Sequence, residues 1–159
     1  QRLVRRLCIE CREPYAPDSA VLKQLDKTFR LSRHGGLAKM FELEAVALAD
    51  GIGRSSTGQG APTDSLSSTS DSITRLFHPC LKGCDSCNHT GFKGRIGIYE
   101  VLTNTSAIQA LIVSGSTTEN IEKTAISEEM LTMQLDGFIK SLRGQTTIEE
   151  ILRVTSQEQ

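Results

Sequence analysis

At 159 residues with a formal net charge of −1, the chain has room for one domain or two small lobes, and its charge gives no reason to expect a nucleic-acid partner. Hydrophobic residues make up 38% of it and Trp is absent, so the apolar core is modest and metal binding is a natural further source of folding free energy. Five cysteines, an odd number, exclude a purely intramolecular disulfide framework; with no signal peptide and no long apolar run, the expectation is a reducing, cytoplasmic setting.

The chain opens at Gln1 directly on a periodic pattern, which reads as a piece excised from a longer protein. Leu3, Val4 and Leu7 share one helical face, predicting a helix that leads into Cys8-Ile9-Glu10-Cys11. Pro14 and Pro17 punctuate the chain, and Asp18 is a candidate N-cap for a helix carrying Val21, Leu22, Leu25 and Phe29. After His34-Gly35-Gly36, the recurrence of Leu37, Met40, Phe41, Ala45 and Leu48 predicts a second helix, with Gly51 as its stop. Of the 22 residues from 51 to 72, fourteen are Gly, Ser or Thr, a composition that cannot offset its own ordering entropy and predicts a mobile loop.

From Ile73 to His78 the pattern is extended. Between 92 and 102, Ile96, Ile98 and Glu100 alternate against Tyr99 and Val101, predicting a short strand. These two segments are expected to form a small antiparallel sheet on either side of Gly83-Cys84-Asp85-Ser86-Cys87-Asn88-His89-Thr90-Gly91, where the glycines suit tight turns. Beyond 102 the chain is helical. Ser106 precedes Ile108, Leu111 and Ile112, and Gly115 follows them. Ser116-Thr117-Thr118-Glu119 reads as a capping box, Leu131, Leu135, Phe138 and Leu142 form an apolar stripe ending at Gly144, and Thr147-Ile148-Glu149-Glu150 reads as another box.

The two Cys-x-x-Cys pairs carry the chemistry. Thiolates two residues apart can ligate one ion, and two such pairs fill a tetrahedral four-sulfur shell of the kind Zn²⁺ favours, which makes the site structural rather than catalytic. Cys8, Cys11, Cys84 and Cys87 are therefore the candidate metal ligands, and no catalytic residue is identified. Two other readings stand beside this one. Ordinary free cysteines pack as small apolar groups, and a redox dithiol requires a strand before the motif and a helix starting at it. Cys80, His78 and His89 lie within sequence reach as substitute ligands, but with four sulfurs already in the shell they read as packing or solvent contacts. Four thiolates on Zn²⁺ leave a charge of about −2, and Arg12, Lys82, Lys93 and Arg95 flank the cysteines as candidates to offset it. Seventy-two residues separate Cys11 from Cys84. Closing such a loop costs roughly 4 kcal/mol plus a constant, whereas structural zinc contributes on the order of 10–16 kcal/mol, so a long insertion between the pairs is tolerable.

The predicted fold class is α+β, mainly helical. A four-cysteine zinc module with a small antiparallel sheet occupies residues 1–102, carries a helical insertion at about 18–50 and a flexible loop at about 51–72, and is followed by a helical subdomain at 103–159.

Several long segments together carry a family resemblance: Gln1-Arg2-Leu3-Val4-Arg5-Arg6-Leu7-Cys8, Cys11-Arg12-Glu13-Pro14-Tyr15, the run from Gly83 to Arg95, Gly97-Ile98-Tyr99-Glu100-Val101-Leu102, Met133-Gln134-Leu135-Asp136-Gly137, and the run from Gly144 to Thr155. They resemble the secretion ATPases that assemble type IV pili and drive type II secretion. The resemblance implies a cytoplasmic, hexameric ATPase that docks on an inner-membrane platform protein and inserts or extracts pilin subunits. It also implies a four-cysteine zinc subdomain after the catalytic core, with Cys8, Cys11, Cys84 and Cys87 as ligands, and a small helical subdomain to complete the protomer. There are two departures. No Gly-x-x-x-x-Gly-Lys-Ser/Thr phosphate loop occurs, and the family's glutamate and histidine boxes would fall upstream of Gln1. ATP and Mg²⁺ are thus expected only in a full-length parent, and this segment alone is expected to be inactive and monomeric. The stretch between the cysteine pairs is also longer than the family's usual one. A zinc repeat like those of heat-shock co-chaperones fits less well, because Cys84-x-x-Cys87-x-x-x-Gly91 stands singly. A nucleic-acid-binding zinc ribbon should carry a basic, aromatic face, against an aromatic content of 4%.

Overall fold

The computed structural model describes residues 1–49 and 73–155. Among them, two short antiparallel ribbons and six α-helices make an α+β fold dominated by helix. Strand β1 (Arg2–Leu7) leads through the first cysteine pair to β2 (Glu13–Tyr15), and β3 (Leu76–His78) leads through the second pair to β4 (Phe92–Ile98). β1 pairs with β4 and β2 with β3. The two extended segments around the second cysteine pair are therefore not partners of each other, as the sequence suggested. Each takes its partner from the first fifteen residues, which brings the two cysteine turns face to face.

The expected N-terminal helix is a strand. Val4 and Leu7 are three residues apart, a spacing shared by one helix face and by a strand covered on both sides. Both are buried, at 0% and 1% exposure. One edge of β1 is taken by β4, while on the other the N–H of Leu7 donates to Gln145 O at 2.9 Å and the Thr146 hydroxyl donates to Arg5 O at 2.9 Å. The β1–β4 register slips between Arg5 and Leu7, and the extra residue lies on β4, where Gly94 adopts φ +78 and permits the bulge. β4 ends at Ile98 rather than running to 102, and the next backbone N–H, that of Tyr99, donates to the Asp136 carboxylate at 2.8 Å.

Helix α1 (Ser19–Phe29) begins where expected, with Asp18 accepting from the N–H of Val21 at 2.7 Å. Helix α2 spans Gly36–Ala49. The predicted stop at Gly51 and the loop at 51–72 lie outside the described residues. α3 (Ser106–Val113), α4 (Thr118–Ser127), α5 (Met133–Leu142) and α6 (Ile148–Thr155) follow. The caps of α3 and α4 are Thr105 and Thr117, each accepting the N–H three residues on. Glu119 pairs with Lys123 at 2.7 Å.

A single buried cluster joins Leu25, Phe29 and Met40 of the 18–50 helices to Leu76 of β3 and to Leu135, Phe138, Leu142 and Ile151 of α5 and α6. Phe29 and Phe138 meet at its centre, ring centroids 4.8 Å apart. Gly137 lets α6 approach α5 closely, since a Cβ there would lie 3.0 Å from Ile151. Among the described residues no helix is long and apolar enough to cross a membrane.

Candidate metal centre

Each cysteine pair sits on a tight turn built for it. In the first, the N–H groups of Cys11 and Arg12 both donate to Cys8 O, at 3.4 and 2.9 Å. In the second, Cys84 opens a 3-10 turn (Asp85–Cys87), His89 N–H closes on Cys84 O at 2.9 Å, and the Thr90 hydroxyl donates to Cys87 O at 2.6 Å. Asn88 and His89 follow in left-handed conformation at φ 51 and 59. Gly83, at φ +59, passes so close beneath this turn that a Cβ would lie 2.3 Å from the His89 backbone. Cys8 N–H donates to Gly91 O at 3.0 Å and ties the two turns together.

This arrangement brings four sulfurs to one point. Cys8 and Cys84 are separated by 3.7 Å, Cys11 and Cys87 by 3.8 Å, and Cys84 and Cys87 by 3.7 Å. All four Sγ atoms lie within 4.8 Å of one another. Four sulfurs placed about 2.3 Å from a central Zn²⁺ at tetrahedral angles are about 3.8 Å apart. The donor set and its spacing therefore fit a structural zinc ion. Cys80, His78 and His89 are outside the cluster. His89 contacts Lys82 O at 3.2 Å and Asp85 at 3.2 Å, and His78 contacts Pro79 O at 3.2 Å beside the Tyr15 ring.

Protonation follows from the same packing. Burial, reinforced by the neighbouring thiols, pushes the Cys11 thiol far above its ordinary value, and burial likewise raises Cys84. Cys87 goes the other way, to about 6: the Cys84 N–H donates to its sulfur at 3.3 Å, and against the cost of burial the Gly91 N–H adds another bond at 3.2 Å. A cluster of such opposed tendencies carries four thiolates together only when a cation balances them, so metal uptake is coupled to proton release. Of the flanking cations, Lys93 donates to the Ser86 hydroxyl at 2.6 Å, and that hydroxyl donates in turn to Glu10. The Arg12 guanidinium reaches Arg143 O and Gly144 O at 3.2 and 2.6 Å and lies 4.5 Å over the Phe77 ring centroid. The backbone N–H groups of Cys84 and Gly91 serve as donors to the Cys87 sulfur.

A further tie escaped the sequence reading. Glu150, 2% exposed, accepts from the Arg5 backbone N–H at 3.1 Å and its guanidinium at 2.6 Å, and from Arg153 at 2.9 and 3.2 Å. Read as the return arm of a capping box, this carboxylate in fact joins α6 to β1. Thr147 still caps the helix by accepting the Glu150 N–H at 3.3 Å. Burial opposes ionisation of Glu150, but the two guanidiniums and the Arg5 N–H hold its carboxyl down at about 2.

The family model of type II/IV secretion system proteins matches residues 1–153. The type II secretion system protein E of Dickeya dadantii is 30% identical over 158 residues, 99% of this chain and 22% of that protein. The type IV pilus assembly ATPase PilB of Thermus thermophilus is 30% identical over 155 residues, 98% of this chain and 13% of its own length. The type II secretion system protein E of Aeromonas hydrophila is 42% identical over 76 residues, 48% of this chain and 15% of the relative. The chain thus spans less than a quarter of the length of the relatives it matches end to end. A match of this extent, running through both cysteine turns and into the last helix, places the chain in the type II/IV secretion system protein family.

Proposed function

We propose that this chain is the C-terminal part of a hexameric, cytoplasmic ATPase that works at the inner face of the cytoplasmic membrane, powering type IV pilus assembly or type II secretion, and that its four cysteines hold a structural Zn²⁺. The observation that carries the reading is the convergence of the Cys8, Cys11, Cys84 and Cys87 sulfurs within 4.8 Å of one another in a chain matched over nearly its full length by this family. When bound, zinc supplies cross-linking energy and no reaction chemistry. The residues then do the rest. The two turns hold their sulfurs with backbone hydrogen bonds, and the β1–β4 and β2–β3 ribbons carry the order of the site outward. Lacking a phosphate loop, the segment is expected to be inactive by itself. Its zinc-binding part (1–102) and helical part (103–159) instead shape a protomer surface for packing in the ring or for contact with the membrane platform protein.

The test is made in the full-length protein. Cys8→Ser combined with Cys84→Ser should remove the metal and reduce pilus assembly or secretion while leaving nucleotide affinity close to wild type. Full transport by a metal-free double variant would refute the reading.

A further inference from the structure

Arg12 follows the ligand Cys11 directly, and its backbone is set by the first cysteine turn, where its N–H donates to Cys8 O at 2.9 Å. Its side chain crosses to the other end of the sequence. The guanidinium donates to Arg143 O and Gly144 O, just past α5, where the intrahelical ladder has run out of donors. It also lies over the ring of Phe77 of β3, the strand that leads to the second cysteine pair. The fit has no slack: Gly144 is at φ +66, and a Cβ on it would lie 2.4 Å from the Arg12 guanidinium and 2.7 Å from Phe77. On the other flank of the first cysteine pair, the Leu7 N–H donates to Gln145 O. The α5–α6 corner thus rests on Leu7 and Arg12, the residues immediately before and after the turn from Cys8 to Cys11.

We infer that Arg12 is a latch through which metal occupancy at the four cysteines and order at the α5–α6 corner depend on one another. The inference rests on the zinc reading above. Loading the site fixes the turn from Cys8 to Cys11, the fixed turn aims Arg12 at the corner carbonyls, and the docked corner in turn holds the turn ready for metal. Coupling of this kind is reciprocal: the factor by which zinc protects the corner is the factor by which the docked corner tightens zinc.

The experiment uses the full chain as wild type, Arg12→Ala and Arg12→Lys, each zinc-loaded and chelator-stripped. Hydrogen exchange is followed at the Gly144 and Gln145 amides, which donate to Ser141 O and Lys140 O, with Ser114 and Gly115 after α3 as reference. Zinc affinity is measured by chelator competition. In wild type, stripping zinc should speed corner exchange about tenfold relative to the reference, within the usual range for coupled sites. Arg12→Ala should show the fast corner with zinc still bound, gain little on stripping, and bind zinc about tenfold more weakly. Arg12→Lys, whose ammonium can still donate to the corner carbonyls but has no planar group to set over Phe77, should fall between them; it carries the comparison should the alanine variant fail to fold. A wild-type corner indifferent to zinc, a variant with wild-type affinity and protection, or a rise shared equally by the α3 reference would each overturn the latch. A wild-type chain that takes up no zinc would instead refute the metal reading itself, and this would be seen before any variant is compared.

Discussion

Replacing Glu150 with Gln keeps the shape of the side chain that joins α6 to β1 and removes its charge. The carboxylate is 2% exposed and takes four donors from Arg5 and Arg153. Gln offers one acceptor oxygen in place of two and turns an amide N–H₂ toward a guanidinium. Arg5 also loses its counter-charge while facing Arg95 directly across the β1–β4 ribbon, a like-charge pair that is itself unfavourable. The depression of the carboxyl from 4.5 to about 2 sets a ceiling of about 3 kcal/mol. The side chains of Arg5 and Arg153 are 53% and 58% exposed and can recover hydration, so the expected loss at pH 7 is about 2 kcal/mol. That corresponds to a fall in Tm of roughly 4–8 °C. The pH dependence follows from the sign of the shift. A carboxyl held below its unfolded value contributes in full above pH 4.5 and loses that contribution as pH falls toward 2. In urea titrations with both proteins in the same metal state, the gap between wild type and Glu150→Gln should have lost roughly two-fifths of its pH 7 size by pH 3.5. A variant within 0.5 kcal/mol of wild type at pH 7, or a gap that does not change in acid, would refute the reasoning.

Other perturbations test other levels of the structure. Gly83→Ala places a Cβ 2.3 Å from the His89 backbone at a residue with φ +59, so the second cysteine turn should not close, and zinc affinity should fall at least tenfold, roughly; circular dichroism should show the helices retained, and wild-type affinity would contradict the account of the turn. Phe138→Ala removes a fully buried ring whose centroid lies 4.8 Å from that of Phe29 at the junction of α1 and α5, and should cost about 3–5 kcal/mol in urea unfolding. A loss below about 1 kcal/mol would mean that the 18–50 helices do not share a core with the C-terminal ones.

The sequence was most informative where its signal was chemical or local. Two matched Cys-x-x-Cys pairs are a spacing rule independent of fold, so the four sulfurs could be named before their convergence was seen. Asp18 was legible because an N-cap needs only the three residues after it. The first strand was not, because Val4 and Leu7 satisfy a helical interval and a strand buried on both sides equally well, and only the long-range partners Phe92–Ile98 and Gln145 decide between them. The roles of Arg12 and Glu150 were hidden for a related reason. Each acts on a residue more than 130 positions away in sequence, and no local reading reaches that far.

The central claim is that the four paired cysteines hold one structural zinc ion. Metal analysis of the purified chain combined with zinc-edge X-ray absorption tests it most directly. The account predicts about one zinc per chain with four sulfur neighbours near 2.3 Å, released when the thiols are blocked. A purified chain that holds no zinc, or a zinc shell containing fewer than four sulfurs, would contradict it.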